Sequence, residues 1–352
     1  MNNSNSLKDW FRSVGKTLAA LPWVRIGLIS LCSVLLLVFI VLIVGTVYIE
    51  QMLGKIRRPG MDGQTPPTTE YIEPTLPPDY TGVTIPPVTL PPDPSITIDH
   101  EALVHIMLVG QDRRPGETYL TRSDAMILCT LNKQNKTITL TSFMRDLYVE
   151  IPGYKPNKMN SAYSRGGMSL LRETMKENFG IPVDAFVEVD FSGFTKVIDV
   201  LGGVNIRLTQ AEADHLNSNH GWNLTAGINH LNGNQALQYS RIRAIGNDFG
   251  RTERQRNVIN SIIAGCKGMS LSQLNNLLNE VLPLIATDID NKQIVNYALE
   301  LFPMLSGSTI VQQRIPIEGS YQEAAYVGSI PDVLLPDMGI NRQFLVDTLL
   351  PK

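Results

Sequence analysis

Cysteine is scarce in this chain: three in 352 residues, none of them arranged as C-x-x-C. That excludes a disulfide framework and a paired-thiolate metal site. Cys32 falls in a long apolar run, and Cys129 and Cys266 read as small buried hydrophobes. Histidine is nearly as rare, five residues with no H-E-x-x-H or other paired spacing, so zinc chemistry has no ligand set. Neither a G-x-S-x-G elbow nor a G-x-x-x-x-G-K-[ST] loop occurs. A formal net charge of −3 gives no broad basic surface for nucleic acid. Internal repeats are absent too.

What is present begins with one apolar run. Residues 26–49 (IGLISLCSVLLLVFIVLIVGTVYI) carry no charge, enough to cross a hydrocarbon core of ~30 Å as a single transmembrane helix. Trp23 and Tyr48 sit near its ends as interface anchors, and Lys8, Arg12, Lys16 and Arg25 precede it. A cleaved signal peptide would have a shorter apolar core and a small-residue cleavage site, where this chain has EQMLGKIRR. Lys55, Arg57 and Arg58 weaken the charge asymmetry. A short tail before a large domain still favours a cytoplasmic tail (1–25), a span (26–49) and an external remainder in the cell membrane. Residues 59–94 hold 11 of the 22 prolines and seven threonines, an extended spacer that cannot bury a core. The linker is assigned to 50–98.

From about residue 99 to 352 the texture becomes that of one α/β domain. Strands are expected at 104–110 (VHIMLVG), 125–131 (AMILCTL) and 137–142 (TITLTS), the last two forming a hairpin across NKQNK. Helical spacing covers 167–179, a strand 186–191, a helix 193–201 and a strand 204–208. Helices are expected at 233–239 and 248–266, with mostly helix onward to about 305. This interleaving predicts an α/β/α sandwich around a mixed central sheet.

Charge concentrates at YSRIRAIGNDFGRTERQR (239–256), five arginines with two acids that cannot neutralise them. In the second helix Val258, Ile259, Ile262 and Ile263 define a buried face; at 100° per residue Arg251 and Gln255 share it while Glu253 faces water. Arg254 and Arg256 fall toward its edges. Asp248 is expected as the N-cap, with Arg251 in the first turn, where the helix dipole disfavours a cation unless an anion shares the site. One buried salt bridge, for example Arg251 with Asp146, would also satisfy a single arginine. Residues 239–243 alternate like a strand that points Arg241 and Arg243 one way, and an array of Arg241, Arg243 and Arg251 favours a phosphate-like anion.

Acids and a further arginine lie at strand ends. Asp112 and Arg113 follow the first strand, and Arg122 and Asp124 open the second, where open α/β sheets bind ligands. Two such aspartates suit Mg²⁺, although each alone could serve a turn. Arg145 and Asp146 follow the third strand, and Asn160 could position a ligand or cap a turn.

Seven segments in order resemble the LytR-CpsA-Psr family of envelope proteins: GQDRR (110–114), RSDAMIL (122–128), SFMRDLYVEIPG (142–153), KMNSAYSRGG (158–167), DFSGFTKVIDVLGGV (190–204), LNGNQALQYSRIR (231–243) and DFGRTERQ (248–255). They lie within about 103–263. The resemblance implies an α/β/α domain that binds a polyprenyl-pyrophosphate-linked glycopolymer and transfers it, with its linking phosphate, onto peptidoglycan. It implies Mg²⁺ on Asp112 and Asp124, and a pyrophosphate grip by Arg122, Arg145, Arg241, Arg243 and Arg251. Asp248 and Gln255 would organise those arginines, Arg113 and Asn160 complete the substrate-binding set, and Asp124 or Asp146 would be the base. An apolar tunnel for the lipid is implied without residues. Met144 stands where the family often has proline, which alters the local backbone preference. Pyrophosphate hydrolysis and non-enzymatic lipid-pyrophosphate binding with a regulatory role are the alternatives.

Overall fold

The computed structural model describes residues 38–58 except 39 and 42, residue 98, and 100–111 and 123–351 except 268 and 306. Most of the expected membrane span, nearly all of the linker, and Asp112, Arg113 and Arg122 lie outside these residues. Two compact units result, 1–54 and 55–352. In the first, residues 43–53 are helical and expose Val44, Val47 and Ile49. No helix among the described residues is long and apolar enough to cross a membrane.

The second unit is an α/β domain. Its central strands are β1 (Leu103–Gln111), β2 (Ser123–Asn132) and β3 (Thr137–Phe143), followed by two short strands, β4 (Tyr148–Val149) and β5 (Asn157–Lys158), that pair with each other. Next come α1 (Met159–Phe179), β6 (Ala185–Asp190), α2 (Phe191–Val200), β7 (Val204–Leu208), α3 (Gln210–His220), β8 (Gly227–Leu231) and α4 (Gly233–Arg241). The chain continues through α5 (Asn247–Lys267), α6 (Leu271–Val281), β9 (Ile285–Thr287), α7 (Asn291–Leu305), β10 (Thr309–Ile315), β11 (Tyr321–Val327), β12 (Ile330–Pro336) and α8 (Met338–Leu349).

Six strands form the main sheet in the order β10-β3-β2-β1-β6-β9. β1/β6 and β3/β10 pair parallel; β1/β2, β2/β3 and β6/β9 pair antiparallel, so the sheet is mixed as expected. Alternate residues of β1 and β2 face opposite cores. Met107, Val109, Met126 and Leu128 pack under α1 and α8 with Phe179, Phe186 and Leu345. Val104, Ile127 and Leu131 pack on the other side with Ile259 and Ile263 of α5 and with α7. A third cluster joins α2, α3, α4, α5 and the antiparallel β7/β8 pair around Ile198, Leu216 and Tyr239.

Two glycines are needed where they stand. Gly167 has φ 60 and ψ −147 at a kink in α1, so the helix expected from 167 is preceded by a further helical segment from Met159. A Cβ on Gly233 would lie 2.2 Å from the Thr195 carbonyl oxygen, so glycine lets α4 press against α2.

Residues 281–305 depart from continuous helix: β9 enters the sheet edge between α6 and α7. At the domain's start, Arg57 pairs in parallel with Ala286 and donates to the Leu284 carbonyl at 3.0 Å, so 55–58 pack on the body.

Candidate functional site

Register gathers the site at one edge of the sheet. Gln111 at the end of β1 pairs with Ser123 at the start of β2 and with Asp190 at the end of β6, and Ser142 near the end of β3 pairs with Ile127. Asp124 is therefore the second residue of β2 at this edge; its side chain is not among those described. Asp112 directly follows β1. Asp112 lies outside the described residues; Asp124 stands beside the Gln111–Ser123 pair that joins β1 to β2. Among the described residues no group of three or more His, Cys, Asp or Glu could hold a metal ion.

Arg145 and Asp146 follow β3 on a segment whose backbone is tied three ways. The Asn160 N–H donates to the Arg145 carbonyl at 3.2 Å, Leu334 N–H to the Asp146 carbonyl at 2.9 Å, and Met144 N–H to the Ile315 carbonyl at 2.9 Å. The last bond explains Met144: a proline there would have no N–H to give β10. Met144 also fills the core, 1% exposed.

Arg241 and Arg243 arrive differently from expectation. The stretch is no strand: α4 begins with a reciprocal cap between Asn232 and Gln235 and runs through Arg241, with Ile242 as C-cap. Ile242 is buried, and the arginines on either side of it are exposed and line one cavity. The shared direction holds, through a helix end and a pinned turn. Arg241 lies over the Phe191 ring, its Cζ 4.8 Å from the centroid.

Helix α5 starts at Asn247, whose side chain accepts from Phe249 N–H at 2.9 Å, so Asp248 is a first-turn residue and not the cap. It gathers arginines instead. Its carboxylate lies 2.8 Å from Arg251 Nη2, 3.5 Å from Arg145 Nε and 3.7 Å from Arg243 Nε. Arg251 pairs with this aspartate and not with Asp146; Asp146 binds Arg145 Nε at 3.2 Å and Lys158 Nζ at 2.7 Å. Four cations therefore share two carboxylates. Arg251 is 3% exposed and Glu253 is exposed, as the helical phase requires.

The other two arginines of the stretch are buried, not at an edge. Arg254 Nε meets Glu212 Oε1 of α3 at 2.7 Å, and its other nitrogens donate to the Ile242 and Ile245 carbonyls at 3.0 and 2.8 Å. A distant acid thus neutralises an arginine that the local sequence left unpaired, and the same guanidinium holds the loop carrying Arg243. Arg256 donates to Ser142 Oγ at 2.7 Å, and burial pulls its guanidinium down to about 10.

Arg145, Arg241, Arg243, Arg251 and Gln255 line a cavity of about 470 Å³. Gln255 Oε1 is buried there with no hydrogen-bond partner among the described residues, and the same holds for Asn160 Oδ1 in α1. Gly110, Ala125, Phe191, Ser240 and Gln255 also line a second cavity of about 290 Å³ between the sheet and α2, α4 and α5. Its walls are Val187, Val189, Phe194, Leu237, Ile259 and Ile262. A cationic basin therefore opens onto an apolar slot, a pairing that suits an anionic head on a hydrocarbon chain. Sequence reading found the basin's arginines and expected an apolar tunnel, but it assigned the slot no residues and missed Phe191 and Lys158. Slot residues repeat at the spacing of ordinary core, and only the aromatic next to the strand-end Asp190 was a local signal.

The polyisoprenyl-teichoic acid–peptidoglycan teichoic acid transferase TagU of Enterococcus faecalis is 34% identical over 214 residues, covering 58% of this chain and 68% of that protein. Regulatory protein MsrR of Staphylococcus aureus is 32% identical over 230 residues, covering 64% and 68%. A solved structure of the LytR-CPS2A-psr family protein YwtF (TagT) with bound octaprenyl pyrophosphate lipid superposes with a TM-score of 0.55 at 25% identity, covering 73% of this chain and 92% of that one. The model of the LytR_cpsA_psr family matches residues 89–334, more than two thirds of the sequence, and the chain belongs to that family.

Proposed function

We propose that this protein is a membrane-anchored phosphotransferase. It moves a glycopolymer with its linking phosphate from a polyprenyl-pyrophosphate carrier to a hydroxyl of peptidoglycan. The observation that carries the reading is the arginine basin opening on the apolar slot: one half matches a pyrophosphate, the other a prenyl chain. The relatives' names support both ends of the reaction, teichoic acid transfer for TagU and octaprenyl pyrophosphate binding for YwtF.

In this reading the acceptor oxygen attacks the phosphorus next to the glycopolymer. The bond from that phosphorus to the bridging oxygen breaks, and polyprenyl phosphate leaves with the electron pair. Arg145, Arg241, Arg243 and Arg251 stabilise the charge that develops on the phosphoryl oxygens, and Asp248 holds three of them in register. Gln255, in the basin wall, has a buried side-chain oxygen suited to accept from the arginines there; Asn160 completes the substrate-binding set, and Arg113 and Arg122 add charge from the β1–β2 connection. A Mg²⁺ ion on Asp112 and Asp124 would supply further neutralisation of the phosphates. The acceptor proton needs a carboxylate. Asp124 and Asp146 are the two carboxylates proposed for this role; Asp146 has Oδ1 against Lys158 and Oδ2 against Arg145.

The span at 26–49 would anchor the chain, with 1–25 cytoplasmic and 50–98 a linker to an external domain at 99–352. Exposed Val44, Val47 and Ile49 on the helix at 43–53 support a lipid-facing surface.

The test is incubation with lipid-linked glycopolymer, Mg²⁺ and peptidoglycan. Polymer joined to glycan through a phosphodiester is the expected product, and Arg241→Ala should cut the rate on the order of a hundredfold at unchanged Tm. Free polymer would make the protein a hydrolase. Bound, unreacted lipid would make it a binding protein, the reading that fits the name of MsrR.

A further inference from the structure

We infer that Lys158 is a positioning residue for Arg145, acting through Asp146; the inference rests on the proposed pyrophosphate site. Lys158 ends β5, and its pairing with Tyr148 turns the chain back to the exit of β3. There its Nζ lies 2.7 Å from Asp146 Oδ1, while Asp146 Oδ2 lies 3.2 Å from Arg145 Nε. The lysine and aspartate side chains are only 14% and 17% exposed, so water screens the pair poorly. Lys158 does not line the basin, whereas Arg145 does.

The backbone here has its own anchors. Met159 N–H donates to the Leu147 carbonyl at 2.7 Å, Asn160 N–H to the Arg145 carbonyl, and Leu334 N–H to the Asp146 carbonyl. The lysine ammonium is therefore not needed to hold the loop. What it holds is the carboxylate. With Oδ1 occupied by Lys158, Asp146 presents Oδ2 to Nε, and the same Nε faces Asp248 at 3.5 Å. Two carboxylates grip one edge of the guanidinium, which fixes the plane in which the opposite edge meets a ligand. Without the ammonium, the Asp146 carboxylate can turn and take Arg145 as its sole strong partner. It then competes with the incoming pyrophosphate for the same guanidinium.

The experiment is a double-mutant cycle on the full chain in detergent, read by the Kd for geranylgeranyl pyrophosphate and by transfer to peptidoglycan. Lys158→Met is expected to weaken the probe about tenfold and to lower kcat more than it changes KM, with Tm within a few degrees of wild type. Lys158→Arg restores both readouts. In an Asp146→Asn background, Lys158→Met is expected to change Kd by less than about twofold, because the lysine has lost the group it acts on. Additive effects in the cycle overturn the inference, as does a wild-type Kd for Lys158→Met. A protein that binds the probe but never transfers overturns the transferase reading alone, since the Kd cycle still decides the role of Lys158.

Discussion

Three arginines within six residues of α5 are buried, and their different partners assign them different work. Arg251 faces the basin with Asp248, Arg254 is spent on Glu212 and two carbonyls, and Arg256 has a serine hydroxyl. Arg254→Met would leave Glu212, 7% exposed, as a buried acid without its guanidinium, and should cost about 3–5 kcal/mol in urea denaturation. Arg256 behaves oppositely. Burial holds its guanidinium at about 10 in the folded state, below the ordinary arginine value, so its ionisation opposes folding. That penalty is fully present below pH 10 and is relieved as pH rises above it, where the folded form loses its proton first. Arg256→Met should therefore leave Tm at pH 7 equal to or above wild type; a fall of several degrees would mean the Ser142 bond outweighs the desolvation. The helical phase found Arg251 and Glu253 in the sequence because one helix sets both. It could not separate Arg254 from Arg256, since Glu212 and Ser142 come from elements 42 and 114 residues away.

At the scale of elements, the site depends on strand ends meeting helix ends. β1, β3 and β6 end and β2 begins at one edge, and α4 delivers its last turn and α5 its first turn to the same place. Those elements were legible because each is local, with alternating or helical periodicity and its own caps. The segment after residue 281 was not. β9 and β10 take the two outer positions of the main sheet by pairing with β6 and β3, and nothing within three or seven residues announces so distant a partner. The slot between β1, β2, β6 and helices α2, α4 and α5 hid for a related reason: its walls have the spacing of a filled core. Ile262→Trp should fill it. The expected result is at least a tenfold loss of affinity for geranylgeranyl pyrophosphate with inorganic pyrophosphate binding unchanged, measured by calorimetry. Equal losses for both ligands would place the prenyl chain elsewhere.

Over the whole molecule, a net charge of −3 coexists with a basin in which cations outnumber carboxylates, so the field that matters is local. Residues inside the expected linker also contact the domain. Arg57 and Arg58 bond to Leu284 and Ile289, so a soluble form starting at residue 55 should melt higher than one starting at 98. Melting curves of the two would check this, and identical curves would show that these contacts add nothing. The central claim is that basin and slot form one site for one amphiphilic ligand. The most direct test compares wild-type Kd values for geranylgeranyl pyrophosphate, geranylgeraniol and inorganic pyrophosphate under one salt condition. A joined site binds the complete molecule at least ~10²-fold more tightly than either half. If geranylgeranyl pyrophosphate binds no better than inorganic pyrophosphate, the slot does not hold the lipid and the account is wrong.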